Sequence, residues 1–205
     1  MAYLLGFIAA DGCLVKNKRG ACFLEIKSID REIIYKVRSI LGSDHKINSK
    51  QPSNKNWHRV YRLQIGSKEV FNDLITLGIT PRKSRTIELP KVPDKYFRHF
   101  LRGYFDGDGC VYLKKHWRKD RNSFSWVFSV QFISGSKKLI LELKEKLSEY
   151  LKGGYVNTRK RSYDLVFSRV DGFALFDLMY KKVSEKLYLK RKYDIFIKAK
   201  KVLGY

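Results

Sequence analysis

Two aspartates, Asp11 and Asp108, lie near the ends of two similar segments of the chain. The first segment reads LLGFIAADGC at residues 4–13, and the second reads LRGYFDGDGC at residues 101–110. Each segment has the apolar pattern of a short helix. Each carboxylate would then lie among the unpaired carbonyl groups of a helix end, where the helix dipole disfavours negative charge. A bound cation would remove that conflict, so the pair predicts a metal site.

The oxygen ligands of such a site favour a hard cation. Carboxylate and main-chain carbonyl oxygens are typical ligands of Mg²⁺, which retains several waters when bound. Two such sites held together suit phosphodiester hydrolysis, because metal ions activate water and stabilise the leaving oxygen. The alternative is that each Asp-Gly pair is only a turn after an apolar helix, the more frequent case for a single copy. Two copies in a matching context favour the metal site.

Small residues in both segments predict how the carboxylates are brought together. Gly6 and Ala10 are four residues apart, as are Gly103 and Gly107. Residues at this spacing share one face of a helix, and small side chains there let two helix backbones approach closely. We therefore expect the two motif helices to pack against each other along a pseudo-twofold axis.

The chain repeats the same order of predicted elements after each motif. The first motif is followed by strand patterns in LVKNK and ACFLEIKS and by a helical pattern in IDREIIYKVRSILG; the second by CVYLKK, SFSWVFSVQF and SKKLILELKEKLSEYL. Two more short strands and a helix complete each half. This order predicts an α+β fold of two pseudo-symmetric αββαββα repeats with antiparallel sheets. Prolines at positions 81, 90 and 93 mark the junction, and we place the repeats at residues 1–88 and 89–205.

The net charge of the chain points to a polyanionic partner. The 205 residues carry a formal charge of +23, spread along the whole sequence. A folded domain with this charge repels itself, and a nucleic acid would relieve the repulsion. On charge alone, a ribosomal or other RNA-coating protein is as good an interpretation as a DNA-binding protein.

Composition also restricts the compartment. The three cysteines, Cys13, Cys22 and Cys110, have neither the number nor the spacing of a disulfide framework or a structural zinc site. The sequence shows no apolar run of membrane-spanning length and no signal peptide pattern. We expect a soluble intracellular protein; an organelle and a bacterial or archaeal cytoplasm remain equal alternatives.

Together, the doubled motif and the order of elements resemble the LAGLIDADG homing endonucleases in their single-chain, two-motif form. The resemblance covers nearly the whole chain. It implies a monomer whose two sheets form a saddle for double-stranded DNA, with the motif helices packed between the repeats. It also implies metal-dependent cleavage of both strands at a long asymmetric site, leaving short 3′ overhangs. Two or three Mg²⁺ ions are expected, with Mn²⁺ or Ca²⁺ able to replace them in binding.

The resemblance assigns the metal ligands to the two motifs. Asp11 and Asp108 would bind the metal ions, assisted by the main-chain oxygens of Ala10 and Gly107. Asp106 occupies an earlier acidic position of the second motif, where the first motif has an alanine. This position varies in the family.

The resemblance also predicts assisting groups outside the motifs. The family carries a lysine near the end of each repeat, and Lys83 and Lys190 match those places. Ser28 and Ser134, at the ends of the second strands, match a water-orienting position. Nearby basic residues compete for the lysine role: Arg85 and Lys192.

Strand alternation predicts a polar face on each sheet that would contact DNA. Apolar residues on one face of a strand pack in the core, and the residues between them point the other way. Arg, Lys, Asn and Gln on β-ribbons are side chains that read base edges in a major groove. The alternative for each position is an ordinary solvated strand face. The predicted DNA-contacting residues are Val15, Asn17, Arg19, Glu25, Lys27, Arg62, Gln64, Tyr112, Lys114, His116, Arg118, Ser129, Gln131, Asn157, Arg159 and Arg161.

Non-enzymatic functions of the same fold are the main alternative. An intron maturase that binds RNA, or a regulator that binds DNA without cutting it, would also be basic. Both motif acids are present, which a pure binding protein does not need, but maturases can retain them. A basic RNA-coating protein would show neither metal dependence nor sequence preference.

Overall fold

The computed structural model describes residues 1–54 and 56–205, and its first half contains three helices and four strands. The helices are α1 (Ala2–Asp11), α2 (Arg31–Ile40) and α3 (Lys68–Thr76). The strands are β1 (Gly12–Lys16), β2 (Cys22–Ser28), β3 (Ile47–Lys50) and β4 (Val60–Gly66).

The second half repeats this order and adds a final helix. Its helices are α4 (Asp94–Asp108), α5 (Lys137–Leu147), α6 (Arg169–Tyr180) and α7 (Lys190–Leu203). Its strands are β5 (Gly109–Arg118), β6 (Ser123–Ser134), β7 (Tyr155–Thr158) and β8 (Tyr163–Phe167). Within the described ranges, none of these helices has the length and apolarity needed to cross a membrane.

Each half forms one four-stranded antiparallel sheet. The strand orders are β1-β2-β4-β3 and β5-β6-β8-β7, so the two sheets have the same topology. Gly12 pairs with Ile26 in the first sheet, and Gly109 pairs with Phe132 in the second. The α+β class and the two antiparallel repeats predicted from the sequence are confirmed.

Apolar residues at alternate strand positions bury one face of each sheet under helices. In the first sheet, Leu24 and Ile26 of β2 are buried with Leu63 and Ile65 of β4, and α2 and α3 pack on them. Ser67 stabilises the start of α3, because its side chain accepts a hydrogen bond from the main-chain N–H of Val70. Such a cap contributes about 1 kcal/mol. The opposite sheet face carries the polar residues.

The motif helices α1 and α4 form the most extensive contact between the two halves. A Cβ atom added to Gly6 would collide with the main-chain oxygen of Phe100. One added to Gly103 would collide with the main-chain oxygen of Tyr3. The helix backbones therefore touch where the sequence places small residues, and the predicted packing of the motif helices is confirmed.

Two features differ from the predicted elements. The sequence analysis did not predict α7, whose apolar side chains Phe196 and Ala199 are buried among many lysines. Strand β5 continues to Arg118, so the β5–β6 hairpin is longer than the β1–β2 hairpin. The predicted repeat boundary at residue 88 falls between the short 3-10 turn Lys83–Arg85 and α4.

Candidate active site

Asp11 and Asp108 come together because the helices that they end lie side by side. Asp11 is the last residue of α1, and Asp108 is the last residue of α4. A Cβ atom on Gly107 would lie 3.3 Å from the Oδ2 atom of Asp11, so the second motif borders the first carboxylate. Close packing of the two helices therefore produces a site with both acids.

Burial disfavours the charged form of both carboxylates. Burial raises the pKa of Asp11 to about 6, with a further contribution from the charge of Asp108. Asp11 still reaches solvent at the polar surface, but protein atoms crowd its other sides. Burial also raises the pKa of Asp108, while Lys83 and Lys192 oppose the shift. Two acids that resist ionisation in this way favour a bound cation.

Two buried lysines lie at the same helix ends. Lys83 is 6% exposed, and its Nζ donates a hydrogen bond to the main-chain oxygen of Ala10 at 3.1 Å. Lys192 is 4% exposed, and its Nζ lies 2.5 Å from the main-chain oxygen of Phe105 and 2.7 Å from that of Gly109. Each ammonium group thus binds carbonyl oxygens at the end of one motif helix, where a cation is favourable.

Burial disfavours the charged form of both lysines. It lowers the pKa of Lys192 to about 8, although the nearby acid Asp106 acts in the opposite direction. Burial also lowers the pKa of Lys83, and the charges of Asp108 and Asp11 oppose that change. Two acids and two lysines therefore form one compact electrostatic group.

The structure distinguishes among the lysines considered from the sequence. Lys190 is exposed at the first turn of α7 and pairs with Asp194, Nζ to Oδ1, at 3.1 Å. Arg85 is also exposed. Lys192, two residues further along α7, faces the end of α4 instead. The geometry therefore favours Lys192 over Lys190 as the counterpart of Lys83. Only Lys192 lies on the side of α7 that contacts the end of α4.

The hydroxyl groups of Ser28 and Ser134 make local hydrogen bonds to the main chain. Both have the strand parity of the core-facing residues, and Ser134 is buried. The Oγ of Ser134 accepts a hydrogen bond from the main-chain N–H of Ser136, and that of Ser28 accepts one from Asp30. These hydroxyl groups support local turns that lead into α5 and α2, and the water-orienting role of the two serines stays a prediction.

The donor set at the helix ends fits a hard divalent cation. Asp11 and Asp108 supply carboxylate oxygens, and Ala10 and Gly107 present main-chain oxygens beside them. Lys83 already contacts the oxygen of Ala10, and the Nζ of Lys192 lies 3.4 Å from that of Gly107. Residues 1–54 and 56–205 contain no group of three or more His, Cys, Asp or Glu side chains suited to a metal. A site with two acids leaves coordination positions for water, as Mg²⁺ prefers.

The predicted DNA-contacting residues of the first sheet lie on its polar face. Glu25 lies between two cations there: its Oε1 is 2.6 Å from the Nζ of Lys27, and its Oε2 pairs with Arg62. Gln64 faces Glu25 across the neighbouring strand. Val15 is half-buried on the same face. This arrangement partly neutralises the positive charge at the middle of the face.

In the β1–β2 turn, Asn17 has a structural role. Its side-chain oxygen accepts hydrogen bonds from the main-chain N–H groups of Arg19 and Ala21, at 3.0 and 2.9 Å. Arg19 is exposed beside it. The turn therefore presents Arg19, while the amide oxygen of Asn17 is already in use.

The predicted residues on the strands of the second sheet also share its polar face, and Arg159 and Arg161 lie in the β7–β8 turn. The Tyr112 hydroxyl lies 2.5 Å from Nε2 of His116, and the side-chain nitrogen of Gln131 donates to the hydroxyl of Ser129 at 3.4 Å. Arg159 pairs with the buried Asp164. The other predicted contacts of this sheet are Lys114, Arg118, Asn157 and Arg161, all exposed.

The sequence analysis missed two buried polar residues of the motif helices. Arg102 is fully buried and donates hydrogen bonds to the main-chain oxygens of Leu187 and Met179, at 2.7 and 2.8 Å. The hydroxyl of Tyr3 donates to Oδ2 of Asp106 at 2.7 Å. Arg102 lies within the second motif segment, and Tyr3 immediately precedes the first. The only signal in the sequence was the unequal residue at equivalent motif positions, Leu5 against Arg102.

Comparison with known sequences gives one family and several long relatives. Residues 1–81 and 96–172 match a family model described as a LAGLIDADG-like domain. A probable translation initiation factor IF-2 of Methanocaldococcus jannaschii is 27% identical over 171 residues, which are 80% of this chain and 13% of that protein. The replication factor C small subunit of the same organism is 28% identical over 209 residues, covering 92% of this chain and 10% of that protein. The chain thus spans a small part of both relatives.

Comparison with solved structures identifies the same fold. I-SmaMI bound to an uncleaved DNA target in the presence of calcium ions has a TM-score of 0.67 and 15% identity, over 99% of this chain and 91% of that chain. The I-LtrWI LAGLIDADG homing endonuclease bound to target DNA has a TM-score of 0.64 and 14% identity, over 99% and 90% of the two chains. At these identities the likeness establishes the fold alone.

Proposed function

This chain belongs to the LAGLIDADG-like domain family, and from that premise we propose that it is a site-specific endonuclease that cuts both strands of DNA. The observation that carries the proposal is the group formed by Asp11, Asp108, Lys83 and Lys192 at the ends of α1 and α4. Two carboxylates can hold the divalent cations that activate water, and two lysines can stabilise the charge that develops on the phosphate. The DNA complexes of I-SmaMI and I-LtrWI, which share the fold, support double-stranded DNA as the substrate.

The four groups divide the work between metal binding and charge stabilisation. Asp11 and Asp108, with the main-chain oxygens of Ala10 and Gly107, would hold divalent cations. When bound, Mg²⁺ supplies an activated water and stabilises the leaving oxygen. Lys83 and Lys192 would stabilise the negative charge that develops on the phosphate, from positions that their carbonyl contacts have already fixed.

The polar faces of the two sheets supply the DNA-binding surface. A formal charge of +23 favours a polyanion, because each neutralised phosphate releases counterions. The side chains on the two faces differ, so the target is asymmetric. Both motifs lie on one chain, so the proposed enzyme acts as a monomer. Staggered cuts that leave short 3′ overhangs are part of the same proposal.

Cleavage of a randomised duplex library tests the proposal. The protein is incubated with the library in Mg²⁺ and in EDTA, and the new ends are sequenced. We expect ends that converge on one long site in Mg²⁺ alone, with 3′ overhangs. Folded protein that produces no convergent ends, and instead binds a structured RNA selectively, would contradict the proposal and favour a maturase-type function.

A further inference from the structure

We propose that Asp106 is a positioning residue that holds Lys192 at the end of α4 and thereby controls the cleavage of one DNA strand only. This inference rests on the proposed endonuclease function. It concerns a residue outside the group of two acids and two lysines, and it predicts a difference between the two halves of the site.

A single oxygen of Asp106 joins three helices. The side chain is 2% exposed on α4. Its Oδ2 accepts hydrogen bonds from the hydroxyl of Tyr3 on α1 at 2.7 Å and from the main-chain N–H of Leu189 at 2.9 Å. Leu189 is the N-cap residue of α7. Asp106 therefore links the start of α7 to both motif helices through buried hydrogen bonds.

The position of α7 determines the position of Lys192. This lysine lies in the first turn of α7, three residues after Leu189. Its Nζ donates to the main-chain oxygens of Phe105, Asp106 and Gly109, at 2.5, 2.9 and 2.7 Å. Because a helical turn is rigid, a shift of Leu189 would move the ammonium group away from these oxygens. A displacement of about 1 Å at a reacting centre costs about 10²-fold in rate.

Arg102 restrains the segment that leads into α7. It is one helical turn before Asp106 on α4, and it donates to the main-chain oxygens of Met179 and Leu187. Residues 179–189 are thus bound to α4 at three points by two buried side chains. This restraint makes the N–H of Leu189 available to Asp106 in one fixed direction.

Among the residues that the structure describes, the first repeat shows no equivalent of this arrangement. The motif positions of Asp106 and Arg102 are occupied there by Ala9 and Leu5. Lys83 follows a segment anchored by the fully buried side chain of Ile79, and its Nζ donates to the main-chain oxygen of Ala10. The structure therefore restrains Lys192 with buried polar groups and Lys83 with apolar packing.

A purely structural role for Asp106 would give a different result. If the carboxylate only stabilised the α1–α4 contact, its loss would affect the whole interface and slow both strand cuts equally. A positioning role predicts that the cut that depends on Lys192 slows more. The strand that is cut slowly is therefore the readout that separates the two roles.

The test uses duplexes that carry the selected target and a label on either strand. Lys192→Met and Lys83→Met first define which strand each lysine serves. We expect Asp106→Ala to slow the Lys192 strand about tenfold more than the other, so that nicked DNA accumulates. Binding in Ca²⁺ should stay close to the wild-type affinity. Asp106→Asn keeps an oxygen that accepts from Leu189, so it should restore most of the lost rate.

Two further variants keep the test decisive. Tyr3→Phe removes the α1 hydrogen bond and leaves that of Leu189, so we expect equal cutting of both strands. Leu189→Pro removes the N–H group itself, at a main-chain φ of −80° that proline adopts, and should reproduce the strand bias if Asp106→Ala fails to fold. Equal slowing of both strands in every folded variant, or a bias toward the Lys83 strand, would overturn the inference. Absence of cutting by the wild type would instead refute the endonuclease function.

Discussion

The ammonium group of Lys83 lies 3.1 Å from the main-chain oxygen of Ala10, the residue immediately before Asp11. The chain between them contains the entire first sheet. This contact joins the end of the first repeat to its first helix. In the second repeat, Lys192 makes the equivalent contact with the end of α4. Each motif helix therefore ends with its own acid and a lysine from the far end of the same half.

Substitution of the two buried lysines should impair cleavage, whereas substitution of Lys190 should not. Loss of one preorganised charge at a phosphate typically costs about 10²-fold in rate. We expect Lys83→Met and Lys192→Met each to slow single-turnover cleavage by about that factor, because both ammonium groups lie beside the two acids. Lys190→Met removes an exposed charge and is the matched control. A larger defect in Lys190→Met than in Lys192→Met would contradict the assignment.

The acid Asp11 should destabilise the folded protein at neutral pH when metal is absent. Its pKa is about 6 in the folded state and about 3.9 in an unfolded chain, so the folded state binds the proton more tightly. The resulting stabilisation is complete below about pH 4 and is lost as the pH rises through about 6. In EDTA at about pH 7.5, Asp11→Asn should therefore melt at a higher temperature than the wild type.

Thermal melts across the pH range check this expectation. The difference between Asp11→Asn and the wild type should disappear near pH 4, where both side chains are uncharged. Asp44→Asn, at a solvent-exposed position, provides the control and should show no such pH-dependent gain. A lower melting temperature for Asp11→Asn at neutral pH in EDTA would show that the charged carboxylate does not destabilise the folded protein.

Close contact of the motif helices makes Gly6 and Gly103 intolerant of a side chain. Gly6→Ala and Gly103→Ala would each place a Cβ atom on a main-chain oxygen of the opposite helix. Overpacking typically costs about 1–3 kcal/mol, and backbone that cannot rotate away places these variants at the upper end. Denaturant unfolding measures the loss. Gly66→Ala, whose Cβ would lie 3.4 Å from the ring of Phe23, should be nearly neutral. Equal stability of all three variants would exclude the close helix contact.

The charge of Glu25 should limit non-specific DNA binding. It pairs with Lys27 and Arg62 on the polar face of the first sheet. Glu25→Gln would free both cations for phosphate contacts and raise the affinity for unrelated duplex. Each added contact should increase the slope of log Kd against log salt by about 1. Glu149→Gln removes an acid paired with Lys146 after α5 and serves as the control. Unchanged affinity and slope in Glu25→Gln would place this face away from DNA.

Much of the fold could be predicted because the same order of sequence patterns occurs in both halves of the chain. Alternation of apolar and polar residues in β2 and β6 predicted both sheets. The small residues of α1 and α4 predicted the contact between these helices. Helix α7 was missed because its few apolar residues are diluted by lysines. Its register also decides the direction of Lys190 and Lys192, so the sequence could offer both lysines but could not choose between them.

Side-chain direction and tertiary hydrogen bonds explain the remaining differences at the candidate site. Ser28 and Ser134 end strands at positions whose parity faces the core, and the hydroxyl group of each accepts a hydrogen bond within a local turn. In the sequence, Asp106 occupies a motif position that varies in the family that the chain resembles. Its partners, Tyr3 and Leu189, are far away along the chain, and only the folded structure brings them to it.

The most direct test of the proposed function is the cleavage of the selected duplex by Asp11→Asn and Asp108→Asn beside the wild type. Each change keeps the side-chain shape and removes one negative charge at the paired helix ends. We expect both variants to bind the duplex in Ca²⁺ with near wild-type affinity and to produce no ends above the EDTA background in Mg²⁺. Cleavage at the wild-type rate by both variants would contradict the assignment of the active site to these two acids.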